Sequence, residues 1–140
     1  MKYVNDAGLP EITEQQIRET LKESRPYTVV ILKAGPQFKP PGPNRDPEVT
    51  AIVMQHGKRN MALRAAGLMP IVCRIADGSG VVGVGIFDAS PEEVQRIYAD
   101  DPGVKAGVFT FSVHPCLSFP GSALPMPEAA VQDSSRPGGT

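Results

Sequence analysis

The chain has 140 residues, 41% of them hydrophobic, and 14 basic residues nearly balance 15 acidic ones. This length suffices for one compact domain with a real core but is short for two. A net charge of −1 gives no reason to expect nucleic acid or an anionic membrane as a partner. A small or neutral partner, such as a small-molecule ligand, fits this charge balance better. Because no apolar run approaches a membrane span and the N-terminus does not resemble a signal peptide, we expect a cytoplasmic protein.

The first predicted element is a short helix near the N-terminus. Thr13 and Gln16 have the spacing of a capping box, which predicts a helix through about Glu23. Its apolar stripe consists essentially of Ile17 and Leu21. A stripe this thin favours docking on the surface of the domain over a contribution to its core.

The domain proper is expected to begin with a buried strand. Tyr27–Ala34 is apolar on both faces and rich in β-branched residues, which is typical of a central strand. Gly35–Arg45 contains four prolines and predicts a long loop, which either borders a binding pocket or is an exposed linker. Asp46 then caps a helix that ends at Gly67.

A β-hairpin is predicted next, within Leu68–Asp88. Two apolar runs flank Asp77–Gly80, whose Asp-Gly-Ser-Gly sequence favours a tight turn. Pro70 indicates that the first strand lies at a sheet edge, because proline cannot donate a ladder hydrogen bond. Gly78–Gly83 also matches G-x-G-x-x-G, but it opens a strand where a dinucleotide site needs a helix N-terminus. No cofactor is therefore expected.

A second helix and a last strand complete the predicted domain. Ser90 caps the helix, which Pro102 is expected to stop near Asp101. Ala106–Pro115 has alternating apolar residues and predicts the last strand. The segment that follows is rich in Pro, Ser and Gly, so 120–140 is expected to be a flexible tail.

The order of the elements, βαββαβ after the extra helix, predicts the fold class. Right-handed crossovers fold this order into a ferredoxin-like plait, an α+β fold in which two helices cover one face of a four-stranded antiparallel sheet. We expect an N-terminal helical extension at 1–26, the domain at 27–119 and the tail beyond it. Apolar residues on both strand faces predict that the bare sheet face is covered in a homodimer. These residues include Val29, Ile31, Val82, Val84 and Val108.

A histidine lies on the inward face of the first long helix. Steps of three and four residues from Val49 reach His56 and Asn60, and the same stepping on the second helix leads from Val94 to Asp101. Because the two helices are neighbours in the plait, His56 and Asp101 are predicted to meet. A carboxylate on one imidazole nitrogen leaves the other free to take a proton, which suits acid–base catalysis. A buried structural contact is the alternative interpretation.

Over about Tyr27–Phe119 the chain resembles the YCII-related (YciI-like) family, in the stretches HGKRNMALRAAGLMP, GVVGVGIFDASPEE and ADDPGVKAGVFTFSVHP. The resemblance implies a dimeric α+β barrel, related in fold to muconolactone isomerases, with His56 and Asp101 as the catalytic pair. It also implies cofactor-independent lyase or isomerase chemistry on a small cyclic or aromatic metabolite, because one relative eliminates chloride from a chlorinated hydroxyquinol. The long loop and the N-terminal helix are not general family features, so no substrate is implied.

The remaining candidate site residues would bind the substrate. These are Lys33 and Phe38, beside and within the long loop, and Asn60 on the helix that carries His56. No metal site is expected, because His114 and Cys116 lack further ligands. The alternative to an enzyme is a non-catalytic dimeric module that binds a small ligand or supports a partner enzyme.

Overall fold

The computed structural model describes residues 6–128, which contain a 3₁₀ turn (Asp6–Gly8), four helices and four strands. In chain order these are α1 Glu14–Lys22, β1 Arg25–Ala34, α2 Pro47–Ala65, β2 Ile71–Arg74, β3 Val81–Phe87, α3 Pro91–Ala99, α4 Pro102–Lys105 and β4 Phe109–Ser118. None of these helices is both long and apolar enough to cross a membrane. The predicted tail lies outside the described residues from 129 onwards, and 120–128 contain a turn but neither helix nor strand.

The strands form one sheet in the order β2-β3-β1-β4, with every neighbouring pair antiparallel. Strand β1 is central, and it pairs with β4 from Arg25 opposite Ser118 to Ala34 opposite Phe109. Strand β2 follows Pro70 and pairs with β3 at one edge of the sheet, as predicted. This strand order confirms the predicted ferredoxin-like plait.

The core lies between the helices and one face of the sheet. Strand β1 buries alternate residues on this face, namely Thr28, Val30 and Leu32. The buried Thr28 hydroxyl donates a 2.7 Å hydrogen bond to the carbonyl of Ala89, so its burial leaves no polar group unpaired. The buried hydrophobic residues are Val30, Leu32, Val49, Met69, Phe87, Val94, Tyr98, Val108 and Phe109.

The opposite face of the sheet is apolar and partly exposed. Val29 of β1 lies opposite Ile86 of β3, and Ile31 lies opposite Val84, and all four side chains retain some exposure. The sequence placed Val108 among the strand-face residues, but it precedes β4 and is a core residue with 1% exposure. A surface of β-branched residues therefore remains in contact with solvent in a single chain.

Helix α1 forms as predicted but stands apart from the core. The Thr13 hydroxyl accepts the Gln16 N–H at 3.1 Å, and the Gln16 side chain accepts the Thr13 N–H at 2.8 Å, which completes the capping box. No residue of α1 is buried, and Ile17 and Leu21 are 49% and 54% exposed. The helix therefore adds nothing to the core, as predicted, and its apolar stripe remains about half exposed.

The segment after α3 differs from its prediction. Helix α3 ends at Ala99 with Asp100 as its C-cap, close to the predicted end, but Pro102 then begins α4 because the fixed φ of proline suits the first position of a helix. Strand β4 begins at Phe109, three residues later than predicted, because Gly107 makes a left-handed turn (φ 75°) after α4. The strand then continues past Pro115 to Ser118, which its edge position tolerates.

Candidate functional site

His56 lies on the buried face of α2. The helix is capped by Asp46, and its buried residues are Val49, His56 and Asn60. This is the stripe that helical spacing predicts, and it leaves His56 only 7% exposed. An imidazole in this position needs hydrogen-bond partners from within the protein.

Asp101 reaches His56 from the connection between α3 and α4. As the N-cap of α4, its Oδ2 accepts the N–H groups of Gly103 at 2.9 Å and Val104 at 3.2 Å. The residue is completely buried, and both carboxylate oxygens lie 2.9 Å from Nδ1 of His56. The predicted contact is present, although Asp101 points inward as a helix cap and not as part of the α3 stripe.

The partners of His56 determine which nitrogen of the neutral imidazole carries the proton. A carboxylate only accepts, so Nδ1–H donates to Asp101 and Nε2 keeps its lone pair. Nε2 then accepts from Nδ2 of Asn60 at 3.1 Å, and Oδ1 of Asn60 accepts from the Tyr98 hydroxyl at 2.9 Å. We call these four side chains the His56 network. Contrary to the sequence-based expectation, neither nitrogen of His56 is free.

Arg59 and Tyr98 contribute to the site but were not predicted from the sequence. Nη1 of Arg59 lies 3.9 Å from Oδ1 of Asp101, a distance that gives attraction between charges without a hydrogen bond. This nitrogen is buried and has no hydrogen-bond partner. Arg59 follows His56 by three residues and Tyr98 follows Val94 by four, so helical spacing was the signal that could have identified both.

The Tyr98 hydroxyl is held in its neutral form. Burial raises its pKa far above the ordinary value of 10.0, and the nearby Asp101 carboxylate raises it further. The hydrogen bond to Asn60 and the charge of Arg59 oppose this increase but do not cancel it. Tyr98 is therefore a hydrogen-bond donor throughout the physiological pH range.

A cavity of about 50 Å³ adjoins the His56 network on the helix-covered side of β3. His56, Asn60 and Tyr98 contribute to its wall, whereas the fully buried Asp101 does not. Most of the remaining wall is apolar, and Arg74 of β2 is the charged side chain that lines it. The imidazole therefore borders a small, mainly apolar space that has one cationic group.

Two glycines on β3 help to create this space. Gly83 and Gly85 both line the cavity and present no side chain to the helices. Met69 fills part of the gap, since a Cβ on Gly85 would lie 2.5 Å from Sδ of Met69. The volume that remains accommodates several water molecules.

Two predicted site residues lie away from the cavity. The Phe38 ring is 6.2 Å from Phe109, whose ring is 4.6 Å from that of His56. Phe38 therefore supports the site indirectly, through Phe109. Lys33 is exposed, lies on the sheet face opposite to the helices and does not line the cavity. The loop Gly35–Arg45 does not line the cavity of its own chain either, so the prediction that it borders the pocket is not met there.

The described residues, 6–128, include no group of three or more His, Cys, Asp or Glu residues placed to hold a metal ion. His114 lies on β4, where its Nε2 is hydrogen-bonded to the Ser112 hydroxyl at 2.8 Å. Its position opposite Val29 places it on the partly exposed sheet face, away from the His56 network. His114 is therefore a natural reference for measurements on His56.

No family model and no curated protein matches the sequence, whereas solved structures do. Muconolactone isomerase matches with a TM-score of 0.50 and 18% identity, over 71% of this chain and 97% of that chain. The 5-chloro-2-hydroxyhydroquinone dehydrochlorinase of Burkholderia phenoliruptrix AC1100, in complex with 2,5-dihydroxybenzoquinone, matches with a TM-score of 0.43 and 17% identity, over 63% and 90%. At such low identity the first likeness shows a shared fold and nothing beyond it.

The raised pKa of Tyr98 predicts a loss of stability in alkaline solution. Above pH 10 the unfolded chain releases the Tyr98 proton before the folded chain does, so the free energy of unfolding falls as the pH rises. We expect a steeper fall between pH 9 and pH 11 for the wild type than for Tyr98→Phe, measured by urea unfolding. Tyr27→Phe is the control, and parallel curves for the wild type and Tyr98→Phe would contradict the prediction.

Proposed function

We propose that the chain is a cofactor-independent enzyme that isomerises, or eliminates a group from, a small cyclic or aromatic metabolite by acid–base chemistry. The observation that carries this proposal is the contact of His56 with Asp101 beside a cavity. Two likenesses support it. The chain shares its fold with a protein that is by name an isomerase, and the sequence resembles the YCII-related family.

In the proposed reaction, Nε2 of His56 is the atom that accepts the proton. Asp101 keeps the proton of the neutral ring on Nδ1 and thereby leaves the lone pair on Nε2. In the structure Nδ2 of Asn60 donates a hydrogen bond to that lone pair, so the Asn60 amide must move aside when a substrate arrives. Once released, the same N–H can donate to a substrate oxygen and stabilise the negative charge that develops there.

The proposed reaction begins with cleavage of a C–H bond next to a substrate carbonyl group. The proton moves to Nε2 of His56, and the electron pair of the C–H bond moves towards the oxygen to form an enolate. Return of the proton to a different carbon completes an isomerisation. In an elimination, an anionic leaving group such as chloride departs with its electron pair, and His56 then releases its proton to water. Both routes balance without an added oxidant or reductant.

A ring-shaped substrate requires the cavity to open. A volume of about 50 Å³ holds several water molecules but not a substituted ring. Arg74 lines the cavity and is exposed on the edge strand β2, so movement of its side chain would widen the space. The edge of the sheet is therefore the proposed entrance.

A second candidate function is a non-catalytic dimeric module that binds a small ligand or supports a partner enzyme. The observation that favours it is that both nitrogens of His56 already have hydrogen-bond partners within the protein, since Nε2 accepts from Asn60. Buried polar networks of this kind also occur for structural reasons. This alternative predicts ligand binding without turnover.

Substitutions in the His56–Asp101 pair test the proposed enzyme. In a screen of cyclic dienones and halogenated phenols, His56→Ala should lower turnover by about 10²- to 10⁴-fold, the usual contribution of a general base. Asp101→Asn should lower turnover by about tenfold or more. Asparagine still caps α4, but its amide group no longer favours a proton on Nδ1 of His56.

His114→Ala is the matched control, since it removes the other histidine of the chain from the opposite sheet face. It should leave turnover unchanged, and sedimentation checks that the variant keeps the wild-type oligomeric state, since His114 lies on the partly exposed sheet face. The enzyme proposal fails if a confirmed activity survives both His56→Ala and Asp101→Asn. Ligand binding without turnover in all variants would instead support the non-catalytic module.

We also propose a homodimer that forms through the partly exposed sheet face. Ile31 lies on the central strand of this face, so Ile31→Lys should shift the protein from dimer to monomer in sedimentation experiments. Gln95→Lys, on the exposed side of α3, should leave the dimer intact. A wild-type protein that sediments as a monomer at micromolar concentration would refute the proposed dimer.

A further inference from the structure

The His56 network has a definite direction, in which each group donates to the next. The Tyr98 hydroxyl donates to Oδ1 of Asn60, whose Nδ2 donates to Nε2 of His56. Nδ1–H of His56 donates to Asp101 at the other end. All four side chains belong to buried residues, with exposures between 0% and 8%. The orientation of the Asn60 amide is therefore determined by its two neighbours and not by solvent.

A proton on Nε2 of His56 is incompatible with this direction. Nε2–H would face Nδ2–H of Asn60, which places two donors 3.1 Å apart. The Asn60 amide would have to turn over so that Oδ1 accepts from the imidazolium. Its Nδ2 would then point at Tyr98, and the hydroxyl proton would need another acceptor. The other hydrogen-bond partner of that hydroxyl is Sδ of Met69 at 3.8 Å, which is a weak acceptor.

We propose that Tyr98, acting through Asn60, is a positioning residue that holds His56 in its neutral Nδ1–H form with the lone pair on Nε2. The hydrogen bond from Tyr98 stabilises the one amide orientation that suits the neutral ring. Proton uptake at Nε2 breaks this hydrogen bond. The imidazolium is therefore less favourable than it would be in a chain that had Asp101 but no hydrogen bond between Tyr98 and Asn60. Any effect of Tyr98 on turnover rests on the proposed role of His56 as a base. The effect of Tyr98 on the protonation of His56 does not depend on that role.

Other ionisable groups near His56 act in different ways. Asp101 favours the imidazolium, and Arg59 weakens this effect from 3.9 Å away on the same carboxylate. Cys73 and Arg74 line the cavity from β2. In the described part of the chain, none of these four groups is hydrogen-bonded to Asn60. Tyr98 is therefore the group whose removal changes the preferred orientation of the amide.

The experiment is an NMR titration of the histidine rings in the isotopically labelled full chain. The chain has two histidines, and His114 on the opposite sheet face serves as the internal reference. Tyr98→Phe removes the hydroxyl oxygen alone, and Tyr27→Phe is its matched control. Asn60→Leu removes the amide at similar volume, and combining it with Tyr98→Phe shows whether Tyr98 acts through Asn60.

In the wild type, the neutral His56 ring should carry its proton on Nδ1. Tyr98→Phe should raise the affinity of His56 for a proton by about 2- to 10-fold, equivalent to one neutral hydrogen bond. The midpoint of the His56 titration would then move to higher pH, while that of His114 stays in place. Tyr27→Phe should move neither midpoint. In an Asn60→Leu background, Tyr98→Phe should have no further effect.

Three results would overturn the proposal. They are a neutral wild-type ring protonated on Nε2, an unchanged His56 midpoint in Tyr98→Phe, and an equal effect of Tyr98→Phe with and without Asn60. If Tyr98→Phe does not fold, the hydroxyl proton of Tyr98 is followed by NMR in the wild type. Its signal should shift when His56 takes up a proton, because the hydrogen bond to Asn60 is then lost, and an unchanged signal would overturn the proposal. If the proposed enzyme function is wrong but the role of Tyr98 is right, the NMR titration gives the expected shifts and no substrate is turned over.

Discussion

The candidate site depends on one buried carboxylate. Asp101 has no exposed surface, and an ionised carboxylate in this position would be costly without partners. Its partners are the first N–H groups of α4, the imidazole of His56 on α2 and, at 3.9 Å, the guanidinium of Arg59. The contacts that compensate for its burial also join α4 to α2 and orient the imidazole. Packing of the helices and geometry of the site therefore have a common physical cause.

The imidazole of His56 contacts an aromatic ring in addition to its hydrogen-bond partners. The Phe109 ring lies 4.6 Å from the imidazole at an angle of 48°, and Phe38 from the long loop lies 6.2 Å from Phe109. The loop itself is fastened to the start of β4, where the Gly35 N–H donates to the Val108 carbonyl at 2.8 Å. The loop thus supports the imidazole through Phe38 and Phe109, neither of which lines the cavity. An imidazole held by hydrogen bonds and packing beside a small cavity is the arrangement that the proposed role of His56 as a base requires.

The sequence predicted much of this arrangement, because the signals for it are local. Helical spacing placed His56 inward, turn chemistry identified the hairpin, and the order of elements implied the neighbouring helices that bring Asp101 close. Asp101 lies at the start of α4 and not on the inward face of α3 as predicted. A proline after a helix can either end that helix or begin the next one, and Pro102 begins α4. The path of Gly35–Arg45 depends on tertiary hydrogen bonds, which no local pattern encodes. Asn60 and His56 are four residues apart on α2, so their proximity is local, but the hydrogen bond from Tyr98 that orients the Asn60 amide is a tertiary contact.

Hydrogen exchange at a substrate carbon tests the central claim, that His56 takes a proton from carbon, most directly. Cyclic ketones and phenols that perturb the His56 NMR signals are incubated in D₂O with the wild type, His56→Ala and His114→Ala, and deuterium in each compound is measured by mass spectrometry. At least one compound should gain deuterium next to its carbonyl with the wild type and His114→Ala but not with His56→Ala. Equal exchange with the wild type and His56→Ala, for compounds that bind at the cavity, would contradict the claim.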